Sequence, residues 1–268
     1  MRFFTKEIRV ESGVGRLRCY LPDAAPHAHY KTDRPAVIVL PGGAYSGNYE
    51  GEGEPIALQY LAAGACAFVL NYSVFPAVFP QALLEVLNAI RYVRENAEDF
   101  GVDAERIAIC GFSAGGHLTA SAGVFWNHPC LNGCLEGERT LYRPNKMILC
   151  YPVTSHTSHK GSYKNLLTGG GEELTEERIA AVSVERHVSE DTPPAYIWHN
   201  YDDKAVSVGE TFLFAKAMYD HGVPVEMRIY PTGGHGTCLG NYITKGHSFG
   251  ENQPCVGWVE DTLPFLFR

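Results

Sequence analysis

The run Arg106-Ile107-Ala108-Ile109-Cys110-Gly111-Phe112-Ser113-Ala114-Gly115-Gly116-His117-Leu118 limits what this chain can become more than any other stretch. Its first half is an apolar segment of the kind that forms a buried parallel strand. It then reaches Gly-x-Ser-x-Gly and continues into residues able to carry a helix. A strand that turns straight into a helix bends sharply and strains the residue at the bend. Gly111 and Gly115 have no Cβ to collide with the flanking strand and helix, so the turn can close. Ser113 then sits at the tip, its hydroxyl exposed and a helix N-terminus aimed at it. That is the geometry of a nucleophile elbow. The same pattern also occurs in ordinary loops, so the serine needs partners elsewhere in the chain.

The 268 residues are 45% hydrophobic and 19% charged, as in a globular protein with a sizeable core. A net charge of −8, with no dense Lys or Arg cluster, argues against nucleic acid or an anionic membrane as partner. Met1 to Glu7 lacks the apolar centre of a secretory signal, and no apolar run is long enough to span a bilayer. The eight cysteines are read as mostly reduced, Cys66 and Cys110 packing as small hydrophobes, and a cytoplasmic location is expected.

In chain order, Phe3 to Val10 and Leu17 to Leu21 read as strands of an opening hairpin around Ser12-Gly13-Val14-Gly15. Pro22 to Pro35 is a polar loop in which His27 and His29 are solvated. Ala36 to Leu40 is a central strand, followed by Pro41-Gly42-Gly43-Ala44-Tyr45. A helix over Pro55 to Ala63, a buried strand over Ala65 to Asn71 and an amphipathic helix over Gln81 to Asn96 lead to the elbow. The elbow helix runs to about Phe125 and Lys146 to Tyr151 is the next strand. His128-Pro129-Cys130-Leu131-Asn132-Gly133-Cys134 has a zinc-like spacing but no second ligand pair, so no metal site is assigned. Pro152 to Thr192 is a polar insertion with one helix, about Thr175 to Ser183, placed where a cap or pocket border is built. His159 within it is a candidate substrate contact. Ala195 to His199 and Val225 to Tyr230 are strands, with helices over Val208 to Asp220 and Trp258 to Phe267. This alternation predicts one doubly wound α/β domain over residues 1–268, a mostly parallel sheet with helices on both faces.

Ligands of open parallel sheets bind beyond the C-terminal strand ends. Gly43, Ser113, Asp203 and His235 each follow a strand. In such a site His235 takes the Ser113 proton, and a carboxylate behind the imidazole fixes its tautomer. Asp202 and Asp203 are adjacent and only one can point inward. Asp203 is preferred because Val206, three residues on, can plug the core beneath it. The N–H groups of Gly43, Ala44 and Ala114 would receive a developing oxyanion.

Val102 to Leu118 resembles the elbow of small bacterial α/β-hydrolase esterases, the acetyl esterase or acetylxylan-esterase-like proteins near the hormone-sensitive-lipase group. Pro41-Gly42-Gly43-Ala44-Tyr45 is similar to their His-Gly-Gly-Gly loop, with Pro41 for the histidine and Ala44 for the third glycine. Pro193-Pro194, Trp198-His199, Asp203, Val206 and Gly233-Gly234-His235-Gly236 resemble their acid and base loops. The resemblance implies an α/β-hydrolase fold and a serine carboxylesterase, without cofactor, that cleaves short acyl esters, acetylated sugars or oligosaccharides first among them. On that reading Tyr45, Asn48 and Tyr72 line a sugar pocket, against the alternative that the tyrosines are structural. An amidase of the kynurenine-formamidase kind uses the same triad. A non-catalytic binding protein of this fold is disfavoured because every triad member is present. The absence of a propeller-sized extra domain and of a long apolar lid speaks against a prolyl-oligopeptidase-type peptidase and a long-chain lipase. Homo-oligomerisation is left open.

Overall fold

The apolar runs of the sequence become neighbouring strands of an eight-stranded sheet ordered β1-β2-β4-β3-β5-β6-β7-β8. In chain order these are β1 (Arg2–Val10), β2 (Gly13–Leu21), β3 (Arg34–Leu40), β4 (Cys66–Asn71), β5 (Val102–Phe112), β6 (Lys146–Cys150), β7 (Ala195–Asn200) and β8 (Val225–Tyr230). The computed structural model describes residues 1–11, 13–23, 33–169, 173–244 and 253–268; Ser12 and the His27 and His29 loop lie outside the described residues. Only the first two strands break the parallel pattern: β1 and β2 form the expected hairpin and β2 runs antiparallel to β4. From β4 to β8 every neighbouring pair is parallel, which requires crossovers on the sheet faces.

Those crossovers are α1 (Glu54–Ala62), α2 (Gln81–Glu95), the single turn α3 (Ala97–Phe100), α4 (Ala114–Phe125), α5 (Lys160–Thr168), α6 (Glu176–Val182) and α7 (Val208–Asp220), with α8 (Trp258–Phe267) closing the chain. Alternate residues of the central strands face opposite ways, so the sheet separates two cores. Ala36, Ile38 and Leu40 of β3 belong to the core on the side of α2, α4 and α7, whereas Val37 and Val39 belong to the opposite core, with Ile56 and Tyr60 of α1 and Trp258 of α8. All residues of α4 are buried, as expected of a helix that is small and apolar on every side.

Two sequence expectations need correction. β2 begins at Gly13 rather than Leu17, because it follows β1 along its whole length, from Arg2 opposite Leu21 to Val10 opposite Gly13. The 152–192 insertion holds a second helix, α5, besides α6. Gly161, Ser162 and Asn165 lower its intrinsic propensity. Packing compensates: Ser162, Tyr163, Leu166 and Leu167 turn one face inward, and Gly169, at φ +54°, ends the helix.

In the Cys130 loop, the His128 Nδ1 atom accepts the Cys130 N–H at 3.2 Å, and both Cys130 and Cys134 are exposed. The other six cysteines are buried. Among the described residues, no group of three His, Cys, Asp or Glu side chains is placed to hold a metal ion, and no helix is long and apolar enough to cross a membrane.

Candidate active site

The parallel register brings the strand ends to one rim. Leu40 of β3 lies opposite Gly111 of β5, Phe112 opposite Cys150 of β6, Cys150 opposite Trp198 of β7, and Asn200 opposite Tyr230 of β8. Ser113 follows β5 at φ +52° and ψ −117°, a conformation costing a non-glycine residue about 1–3 kcal/mol. The surroundings hold it there. Its N–H donates to the Cys150 carbonyl at 3.0 Å, and its own carbonyl accepts the N–H groups of His117 and Val153, each at 3.1 Å. A Cβ on Gly111 would run into the Gly115 carbonyl and the Thr119 hydroxyl; one on Gly115 would strike the Leu40 and Pro41 carbonyls. Only glycine fits at either place.

Beside Ser113 stands His235, whose Nε2 lies 2.8 Å from Ser113 Oγ while Nδ1 lies 2.6 Å from Asp203 Oδ2. A carboxylate only accepts, so Nδ1 carries the proton and Nε2 is left to accept the serine O–H. Asp203 is 7% exposed and accepts three further donors: His199 Nε2 at 3.1 Å, Ala205 N–H at 2.9 Å and Val206 N–H at 3.0 Å. Burial alone would raise its pKa, but the hydrogen bonds from His199 and His235 and the charge on His235 outweigh burial and hold the carboxyl well below the usual range. Asp202 is exposed and accepts the Gly234 N–H at 2.8 Å, bracing the His235 loop from outside.

Gly43, Ala44 and Tyr45 follow β3 at φ +131°, +56° and +56°. The carbonyls of this turn are all engaged. Gly42 O accepts the Tyr49 N–H at 2.9 Å, Gly43 O the Ser46 and Gly47 N–H groups at 2.9 and 3.2 Å, and Tyr45 O the Phe75 N–H at 2.7 Å. Ala44 O accepts Nδ2 of Asn165, on α5, at 2.9 Å. By contrast, no described protein acceptor meets the N–H groups of Gly43 and Ala44. Ala114 opens α4, where a helix leaves its first N–H groups outside the ladder. Behind the turn, the buried carboxyl of Glu52 accepts the Gly42 N–H and the Tyr151 O–H, each at 2.7 Å. Burial raises the pKa of that carboxyl against the pull of these two donors. The Tyr151 ring packs edge-on to His235 at 5.0 Å, and its hydroxyl accepts the Cys238 N–H at 3.1 Å.

The BD-FAE family model matches residues 20–218, which takes in the elbow and Asp203. The chain belongs to the BD-FAE family. It is 32% identical over 240 residues to endo-1,4-beta-xylanase B of Butyrivibrio fibrisolvens, covering 87% of this chain and 37% of that protein. With the acetylxylan esterase of Xylanibacter ruminicola the identity is 29% over 241 residues, covering 87% and 46%. The chain thus spans less than half the length of these two relatives. The structure of an acetyl ester-xyloside bifunctional hydrolase from Caldicellulosiruptor lactoaceticus superposes with TM-score 0.78 at 34% identity, over 96% of this chain and 89% of that one. A carboxylesterase from Lactobacillus plantarum WCFS1 superposes with TM-score 0.84 at 25% identity, over 100% and 97%. The fold of this BD-FAE member is therefore that of the α/β-hydrolases, as the elbow resemblance implied.

In this BD-FAE member the geometry brings Ser113, Asp203, His235, Gly43, Ala44 and Ala114 together. It does not give the expected pocket roles to Tyr45 and Tyr72. Tyr45 and Tyr72 are each 2% exposed. Tyr45 Oη lies 2.7 Å from His117 Nδ1, and Tyr72 Oη donates to Pro41 O at 2.6 Å, so both hydroxyls brace the turn from within. Asn48 donates Nδ2 to Tyr72 O at 2.9 Å. His159 caps α5, its Nδ1 accepting the Ser162 N–H at 3.3 Å. Sequence reasoning assigned no role to Glu52, Tyr151, Asn165 or His117. No sequence pattern announces any of the four; only Tyr151 is marked even by its backbone, being one of the five non-glycine left-handed residues among those described, with Ala44, Tyr45, Ser113 and Cys238, all around this site.

Proposed function

We propose that this chain is a serine carboxylesterase that removes short acyl groups, acetyl above all, from esterified sugars or oligosaccharides. The observation that carries the reading is the hydrogen-bonded line Asp203–His235–Ser113, at 2.6 and 2.8 Å, beside the amides of Gly43 and Ala44, which meet no acceptor among the described residues. Ser113 Oγ attacks the acyl carbon as His235 Nε2 takes its proton. The carbonyl oxygen becomes an oxyanion facing the amides of Gly43, Ala44 and Ala114, each donor worth about 3–4 kcal/mol to the transition state. His235 returns the proton to the departing alcohol oxygen, leaving an acetyl-Ser113 ester. Water, deprotonated by His235, then attacks that ester, releasing acetate and restoring the serine. Asp203 keeps Nδ1 protonated and stabilises the imidazolium throughout.

An acetylated sugar as substrate is supported by the relatives, whose names include an acetylxylan esterase and an acetyl ester-xyloside hydrolase. A pocket-bordering role for the 152–192 insertion is supported by Asn165 on α5, which reaches the Ala44 carbonyl. Acetate release from acetylated xylo-oligosaccharides and from p-nitrophenyl acetate, followed beside p-nitrophenyl octanoate, tests the reading. The expected result is efficient turnover of both acetyl esters, poor turnover of octanoate, and loss of turnover in Ser113→Ala. Preferred cleavage of N-formylkynurenine would reassign the chain to amides, and activity retained in Ser113→Ala would refute the mechanism.

A further inference from the structure

The turn that presents the Gly43 and Ala44 amides contains two consecutive non-glycine residues in left-handed backbone, Ala44 and Tyr45, both at φ +56°. Such a conformation persists only where the surroundings over-determine it. A trans peptide is planar, with its N–H pointing opposite to its C=O, so fixing a carbonyl also aims the amide that follows it. The Gly42 and Gly43 carbonyls are fixed from within the loop, by Tyr49, Ser46 and Gly47. The Ala44 carbonyl is different: it is held by the Nδ2 group of Asn165, 121 residues further along the chain on α5. Rotation of the Ala44–Tyr45 peptide would relieve Tyr45 of its left-handed φ, and the Asn165 bond opposes that rotation. α5 is itself anchored beside the turn, its Leu166 carbonyl accepting the Phe79 N–H at 2.8 Å.

We infer that Asn165 is a positioning residue for the oxyanion turn, so that the insertion carrying α5 helps set the rate of acyl transfer as well as bordering the pocket. The inference rests on the esterase reading above. Asn165 touches neither ester nor nucleophile. It acts through the Ala44–Tyr45 peptide: held, the Ala44 carbonyl points away from the side that the Ala44 N–H faces, and a turned peptide would swing that carbonyl towards the oxyanion. Two substitutions separate this role from a merely structural one. Asn165→Ala removes the side chain, and Asn165→Asp keeps its shape while replacing the N–H donors with an acceptor facing the Ala44 carbonyl. Lys164→Ala, an exposed neighbour on the same helix, is the control.

The readouts are kcat and KM for p-nitrophenyl acetate, the melting temperature, and the inhibition constant of an aryl trifluoromethyl ketone. The ketone adds to Ser113 and places an oxyanion against the turn; the matching aryl methyl ketone serves as the unreactive comparison. Both Asn165 variants should lose kcat by about 10- to 100-fold with KM within twofold, the scale of a misplacement of roughly 1 Å. Trifluoromethyl ketone affinity should fall by the same factor as kcat/KM, while the methyl ketone binds as before and Lys164→Ala matches the wild type. Retention of kcat within threefold in both variants would overturn the inference. So would a loss of kcat with no weakening of the trifluoromethyl ketone, or a drop in melting temperature that accounts for the lost activity as unfolded protein. A wild-type protein that does not bind the trifluoromethyl ketone would instead sink the esterase reading, and this inference with it.

Discussion

At the residue scale, the two neighbouring aspartates show how differently one side chain is used at adjacent positions. Asp203 collects both imidazoles and two backbone amides, whereas Asp202 accepts one amide from the exposed side. Asp203→Asn should therefore lower kcat for p-nitrophenyl acetate by about 10³–10⁴-fold, because the amide favours the wrong His235 tautomer. Asp202→Asn should cost less than tenfold; steady-state rates on the two purified variants check both figures. The preference for Asp203 rested on Val206 as a core residue; Val206 is buried, and its N–H also donates to the Asp203 carboxylate, a bond that no sequence pattern stated. The second imidazole was not legible as a partner. His199 Nε2 faces two acceptors, Asp203 Oδ2 and Val206 O, and so carries the proton, while Nδ1 lies 2.8 Å from Thr211 Oγ1. That arrangement needs α7 folded against the end of β7, which no local pattern states.

His117 is a second buried imidazole, 1% exposed, with Nε2 2.9 Å from Val182 O and Nδ1 facing Tyr45 Oη. Burial lowers its pKa from 6.5 to about 4, against the opposing pull of the Val182 carbonyl. The folded state thus holds His117 neutral while the unfolded chain protonates it between pH 6.5 and about 4. Unfolding binds the extra proton in that window, so stability is complete above 6.5 and falls as pH drops towards 4. The slope approaches about 1.4 kcal/mol per pH unit. Urea unfolding at pH 7 and pH 5 should show this loss in the wild type and a shallower one in His117→Gln.

At the element scale, strands were easy to recognise because each central one is a continuous apolar run, buried on both sides. α5 was hidden because Gly161, Ser162 and Asn165 lower its helix propensity, and its start relies on a histidine cap. α7 does more than cover the sheet. Glu210 on it is fully buried and accepts the N–H groups of Thr154, Ser155 and Ser158 and the hydroxyls of Thr157 and Ser158. One carboxylate thereby anchors the start of the 152–192 insertion, while its neighbour Thr211 meets His199. Glu210→Ala should destabilise the protein by about 3 kcal/mol or more, since each buried donor left unmade costs ~1–3 kcal/mol. Chemical denaturation would measure it, and a change under 1 kcal/mol would mean that water replaces the carboxylate.

At the scale of the whole molecule, the parallel register converts residues far apart in sequence into one site. Ser113 and His235, 122 residues apart, meet because β5 to β8 end on the same rim. That convergence was legible from the order of the strand-end residues. The supports behind it were not, since Glu52, Tyr151 and Asn165 act through contacts that only the assembled sheet and insertion create. The central claim is that Ser113 is an activated nucleophile. Treating the protein with a fluorophosphonate, and following intact mass and residual p-nitrophenyl acetate hydrolysis together, tests it most directly. One adduct per chain, mapped to the peptide carrying Ser113 and forming in step with the loss of activity, is the predicted result. No adduct, an adduct on another residue, or labelling undiminished in Ser113→Ala would contradict it.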